Sequence, residues 1–198
     1  MEKEELVLQQ DVQGQVLTKW LRVLLFAEIA SLVTLFSAMV PVLDGIGPWI
    51  GRGASVAVLA ALYQLCLVHK RYWKAFKFYL IAFIGTLVQA FAGSNIFTTA
   101  ASICGLVATY QEYSAHGELL NVIDNQLSGK WMSLFYWELA AGAVGAFVAM
   151  AVVMVGVGYG MEETLVVILG VAAVAVLEVP LSLLRLRYLK RTITCFQE

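Results

Sequence analysis

The stretch 132–158, MSLFYWELAAGAVGAFVAMAVVMVGVG, decides the fold. Its 27 residues hold a single charged side chain, Glu138. A helix needs about 20 mostly apolar residues to cross the hydrocarbon core of a bilayer, and this run exceeds that length. Five further apolar runs surround it, near 20–42, 53–69, 76–93, 95–113 and 163–186. The whole chain is 61% hydrophobic and 14% charged, against about 45–50% and about 25% in soluble domains. So few charges cannot cover so much apolar surface in water, which makes lipid the expected solvent. The sequence therefore predicts an all-α, polytopic membrane helix bundle of six transmembrane helices, with one domain over residues 1–198.

Charge orients that bundle. Of the 13 Lys and Arg residues, only Arg52 falls in a segment on the outer side of a six-span reading. Positive charge resists translocation, so the remaining twelve place both ends inside, N-in and C-in. The net charge of −1 averages a basic inner side with an acidic outer one. The basic residues follow helix ends and form no soluble face, which argues against nucleic acid as a partner. The beginning, Met1-Glu2-Lys3-Glu4-Glu5, is acidic where a secretory leader is basic, and 6–17 reads as a cytoplasmic lead-in to the first span.

The outer connections are short: Pro41 to Trp49, Gly93-Ser94-Asn95, and the acidic turn Gly158 to Glu163. The inner side is richer. His69, Lys70, Arg71 and Trp73 combine basic and interfacial aromatic side chains at a cytoplasmic membrane edge, and His116 and Trp131 are expected at the same edge. Leu119, Leu120, Ile123 and Leu127 recur at helical spacing. They predict an amphipathic, interfacial helix over 114–131, between helices 4 and 5, with a cytoplasmic extension of the fourth span as the alternative.

Chemistry-bearing residues are few. Glu28, Glu138 and Glu178 fall inside expected spans, where a charge at the bilayer centre costs roughly 2.5–3.5 kcal/mol and so tends to face a bundle interior. At 1.5 Å per residue they lie about 12, 9 and 12 Å from the inner ends of their helices. Gathered together, they could take up a proton or hold a cation; held apart, each would bond a neighbouring helix or reach Arg22, Lys74 or Arg185. Pro180 frees the carbonyl of Val176 and predicts a helix kink two residues beyond Glu178. His69 and His116 lack partners at metal-ligand spacing, so no metal site is expected. Cys66, Cys104 and Cys195 form neither a C-x-x-C pair nor a disulfide framework. No nucleophile–base pair, phosphate loop or dinucleotide fingerprint is present, so neither an enzyme nor a cofactor is expected.

Two patterns invite other readings. Val157-Gly158-Tyr159-Gly160 imitates a potassium-channel filter, but one spanning helix consumes 132–156 and leaves nothing for a pore helix, so a glycine-rich turn is expected. Ala141, Gly142, Gly145, Ala146 and Ala149 on the fifth span, and Ala27, Ser31 on the first, allow close helix approach, within the bundle or in a homo-oligomer.

The run Glu112-Tyr113-Ser114-Ala115-His116-Gly117-Glu118, with Ile123-Asp124, Leu127 to Trp131 and Tyr188 to Thr192, resembles a cytoplasmic segment of uncharacterised six-span membrane proteins from Gram-positive, often gut-dwelling, bacteria. The resemblance implies a bacterial cytoplasmic membrane and transfers no activity. In size, six spans and inward termini the chain is also similar to the substrate-binding subunits of energy-coupling-factor vitamin transporters. The expected function is a non-enzymatic protein that docks a membrane or cytoplasmic partner or senses the bilayer. The alternative is a small-solute or ion transporter using the three carboxylates.

Overall fold

The computed structural model describes residues 2–37, 45–92 and 95–197 of the chain. The outer-loop residues 41–44, 93 and 94 fall outside the described residues. Six α-helices and no strands occur among those described: α1 Glu2–Ser37, α2 Gly47–Leu65, α3 Lys70–Ala92, α4 Asn95–Leu120, α5 Asn125–Gly158 and α6 Glu163–Cys195. Residues 6–17 are therefore not a separate lead-in but the first turns of α1. Each helix packs on the next in chain order and α6 returns against α1, so the ring of helices closes.

Local chemistry places the breaks. Pro48 opens α2, where its missing N–H is no loss, and the Ile46 carbonyl accepts from the Trp49 and Ile50 amides at 3.1 Å. The α5–α6 turn needs Gly160 at φ 65°, a left-handed conformation that favours glycine. The Met161 amide then closes back onto the Gly156 carbonyl at 2.9 Å, so residues 157–160 end a helix and begin a turn.

No separate interfacial helix lies between α4 and α5. Residues 114–120 continue α4, 121–124 turn, and α5 begins at Asn125. The Asp124 carboxylate accepts from the Leu127 amide at 2.9 Å and caps the new helix. Of the residues at that helical spacing, Leu120 and Leu127 are fully buried in the core, Leu119 is half-buried and Ile123 stands exposed.

The packed core sits at one end. Leu17, Leu21 and Leu24 of α1 meet Leu62 and Leu65 of α2, Tyr72 of α3, Tyr113 and Leu120 of α4, Trp131 of α5 and Leu189 of α6. Lys19, the 69–74 cluster, Lys130 and Arg185 to Arg191 belong to this same end. The other end packs through small residues. A Cβ added at Gly156 would collide with Val166, one at Gly85 would come within 3.1 Å of the Ala101 methyl, and Gly145 faces Val174 and Leu177. Large side chains there point outward, as Phe147, Met154 and Ile96 do.

Two helices, Asn125–Gly156 and Ile168–Cys195, are long and apolar enough to cross a membrane, with mean hydropathies of 2.3 and 1.9. The other helices carry more polar residues: Lys19, Arg22 and Glu28 in α1, Arg52 in the short α2, four lysines and arginines in α3, and Thr98, Thr99, Gln111 and Glu112 in α4.

Candidate functional site

At the basic end, inside the ring, polar side chains from five helices form one connected cluster. Arg185 of α6 is its hub. One guanidinium nitrogen, Nη2, forms an ion pair with Glu28 Oε1 of α1 at 2.9 Å and donates to both oxygens of Glu112 on α4 at 3.4 Å. The same guanidinium stands 5.1 Å over the Tyr113 ring. The Tyr113 hydroxyl donates to Glu138 Oε1 of α5 at 2.6 Å, linking a fourth helix.

Glu112 is the most enclosed acid, at 3% side-chain exposure, and three donors converge on it. Besides Arg185, the Tyr79 hydroxyl of α3 donates to Oε2 at 3.0 Å, and His116 Nε2 approaches Oε1 at 3.5 Å, the long limit of a hydrogen bond. His116 Nδ1 lies 2.8 Å from the Tyr72 hydroxyl. A carboxylate accepts only, so the Nε2 that faces it carries the His116 proton and Tyr72 donates to Nδ1, with Nε2 approaching Glu112 without completing a hydrogen bond. A continuous polar path thus runs Tyr72, His116, Glu112, Arg185, Glu28. Trp131 closes it from the side: its ring centroid is 4.5 Å from that of His116, and its indole N–H donates to Thr192 at 3.2 Å.

The far end of the path is open. A cavity of about 320 Å³ reaches Glu28 and Arg185 and is walled by Ser31, Ser55, Tyr79 and Thr86. The three hydroxyls of Ser31, Ser55 and Thr86 donate to carbonyls of their own helices at 2.7–3.0 Å, which leaves their lone pairs facing the cavity as acceptors. Three carboxyl groups, Glu28, Glu112 and Glu138, surround one guanidinium, and an excess of acid over base is an arrangement suited to a proton or a cation.

The three carboxylates singled out in the sequence therefore share no single point. Glu28 binds Arg185 directly, and Glu138 joins through Tyr113. Glu178 forms no hydrogen bond or ion pair with the cluster. Pro180 lies within α6, which continues unbroken past it. Of the residues expected at the inner edge, His69, Lys70, Arg71 and Trp73 lie at or near the surface, and Arg71 pairs with Glu118 at 2.7 Å. His116 and Trp131 are instead fully buried: α4 extends past the end of its apolar run and carries His116 into the bundle, and the first turns of α5 bring Trp131 against it. Glu112, Tyr72 and Tyr79 are not among the site residues expected from sequence, and Arg185, expected only as a partner within reach of an interior carboxylate, is the hub. One signal was available: Glu112 and His116 are four residues apart and share a face once α4 runs to Leu120.

No protein-family model, curated protein or solved structure matches the chain.

Proposed function

We propose that this chain is a six-span protein of the cytoplasmic membrane, with both ends inside, that binds and moves a small cation, a proton or a small cationic solute through its polar cluster. The observation that carries the reading is the cavity ending on the Glu28–Arg185 pair, which is wired to Glu112 behind it. An ion site in a membrane protein needs buried charge facing a water-accessible volume, and charge so placed is costly without a function.

Several features support the membrane setting. Only 11% and 6% of the most apolar stretches of α5 and α6 are buried, whereas the core helix of a soluble protein would be mostly covered. Small residues inside and large apolar residues outside is how helices pack in lipid. In the four less apolar helices, Glu28 and Glu112 turn into the ring and Lys19, Lys70 and Arg71 stand at its basic end, while Arg52 is exposed at the other end.

A thermal-shift screen of detergent-purified protein against monovalent and divalent cations, small amines and vitamins tests the binding reading. A cation or amine stabilises the wild type, and Glu28→Gln abolishes the response. A flat screen with a well-folded sample would refute it. Orientation is read separately in a cysteine-free background: a cysteine at Glu162 reacts with an impermeant reagent from outside, and one at Lys130 only after the inner face is opened.

The partner-docking reading keeps one observation. Val122 and Ile123 stand exposed on the α4–α5 turn, beside a cleft of about 720 Å³ lined by Asp124, Arg191 and Thr194.

A further inference from the structure

A second cleft is larger than the one at Glu28. About 810 Å³ lies between the early turns of α1 and the end of α6, at the basic end of the bundle, lined by Thr18, Lys19, Arg22, Val23, Phe26 and Phe196 among others, with no acidic residue among the described residues of its wall. Elsewhere at this end three arginines are paired, Arg71 with Glu118, Arg185 with Glu28 and Arg191 with Asp124, while Arg187 stands exposed outside the clefts. Lys19 and Arg22 form no ion pair among the described residues. Between them and the bundle, Thr18 is 8% exposed and its hydroxyl has no hydrogen-bond partner. Buried hydroxyls normally have one, so its vacancy in the wall of a basic cleft points to an anionic oxygen.

The cleft is also graded along its length. Arg22 to Phe26 spans four residues, about 6 Å of helix, directed away from the basic end. Phe26, 68% exposed, therefore continues an apolar wall from the two cations toward the middle of the bundle. Charge at one end and an exposed apolar wall at the other match a molecule with an anionic head and a hydrocarbon tail.

We infer that this cleft holds an anionic phospholipid of the inner leaflet. Lys19 and Arg22 face the phosphate, the Thr18 hydroxyl donates a hydrogen bond to one of its oxygens, and an acyl chain lies along Val23 and Phe26. The inference rests on the membrane reading above but on none of the residues of the polar cluster.

The test uses the full chain in mild detergent, with native mass spectrometry and thermal unfolding in mixed micelles of phosphatidylglycerol or phosphatidylcholine. The wild type retains phosphatidylglycerol in preference to phosphatidylcholine. The double variant Lys19→Gln/Arg22→Gln loses about tenfold or more of that preference, the scale expected for two interfacial cations. Arg187→Gln/Lys190→Gln removes the same charge from the same end outside the cleft and keeps the preference. Thr18→Val changes no charge, weakens retention, and carries the test if the double variant does not fold. Equal retention of both lipids, or no difference between the two double variants, would overturn the assignment. Stabilisation by inorganic phosphate equal to that by phosphatidylglycerol would overturn the lipid in favour of a free anion. A chain that stays folded and monomeric without detergent would remove the membrane reading itself, a result distinct from loss of lipid preference alone.

Discussion

Replacing Arg185 with Met is the sharpest perturbation available. Methionine keeps much of the aliphatic stem, so packing changes little, while the charge and the donors vanish. Arg185 is 15% exposed and contacts Glu28 at 2.9 Å and Glu112 at 3.4 Å. Its loss leaves two carboxylates facing each other, one of them 3% exposed. Removing one partner of a buried ion pair costs about 3–5 kcal/mol, because the charge left behind has lost its compensation. At about 2–4 °C per kcal/mol for a chain of this size, the melting midpoint falls by roughly 6–20 °C. Differential scanning fluorimetry in detergent reads this directly. Adding Glu112→Gln to Arg185→Met removes one of the stranded charges and recovers part of the loss. Arg185→Lys keeps the charge without the planar fork and falls between. Arg187→Met, two residues along α6 and exposed, stays within about 0.5 kcal/mol of wild type. Should Arg185→Met melt within about 2 °C of wild type, Arg185 would be an anchor like its neighbours and the cluster would not be a charge-compensated unit.

Other substitutions probe the remaining joints. His116→Leu strands the Tyr72 hydroxyl and one oxygen of Glu112, an expected loss of about 1–3 kcal/mol; a thermal midpoint matching wild type would remove His116 from the path. Gly156→Ala drives a methyl into Val166 and destabilises by about 1–3 kcal/mol, with recovery in Gly156→Ala/Val166→Ala. Gly142→Ala adds its methyl to open space and is neutral or stabilising by up to about 1 kcal/mol, so equal midpoints for the two alanine variants would refute the close α5–α6 approach. The bond from the Leu127 amide, followed by the charge of Arg191, holds the Asp124 carboxyl below its usual range. A folded value below the unfolded one, about 3.9, makes its contribution complete above that pH and lost as pH falls through the lowered value. Asp124→Asn therefore flattens the acid limb of a stability-versus-pH curve, and curves that stay parallel down to about pH 2 would contradict the cap.

What could be read from sequence follows from how a membrane rearranges the usual signals. Six apolar runs correspond to six helices in the right order, because a long apolar run bounded by charged or turn-forming residues marks a helix. Glu28 and Glu138 were conspicuous because a carboxylate among apolar neighbours has no ordinary explanation. Arg185 was hidden by its company. With Arg187, Lys190 and Arg191 on the same turns, it looks like one more anchor, and only the 100° rotation per residue turns it inward while Arg187 faces out. The fourth helix shows the same effect more strongly. Its apolar run stops at Tyr113, so a hydropathy reading ends the helix there and assigns His116 and Trp131 to the surface. In a bundle that keeps its core at the basic end, the polar residues are the ones that need burial most, since lipid cannot satisfy them and neighbouring helices can. The end of an apolar run is then where the interior site begins, and Glu112 stands at that boundary with a donor on each of three sides.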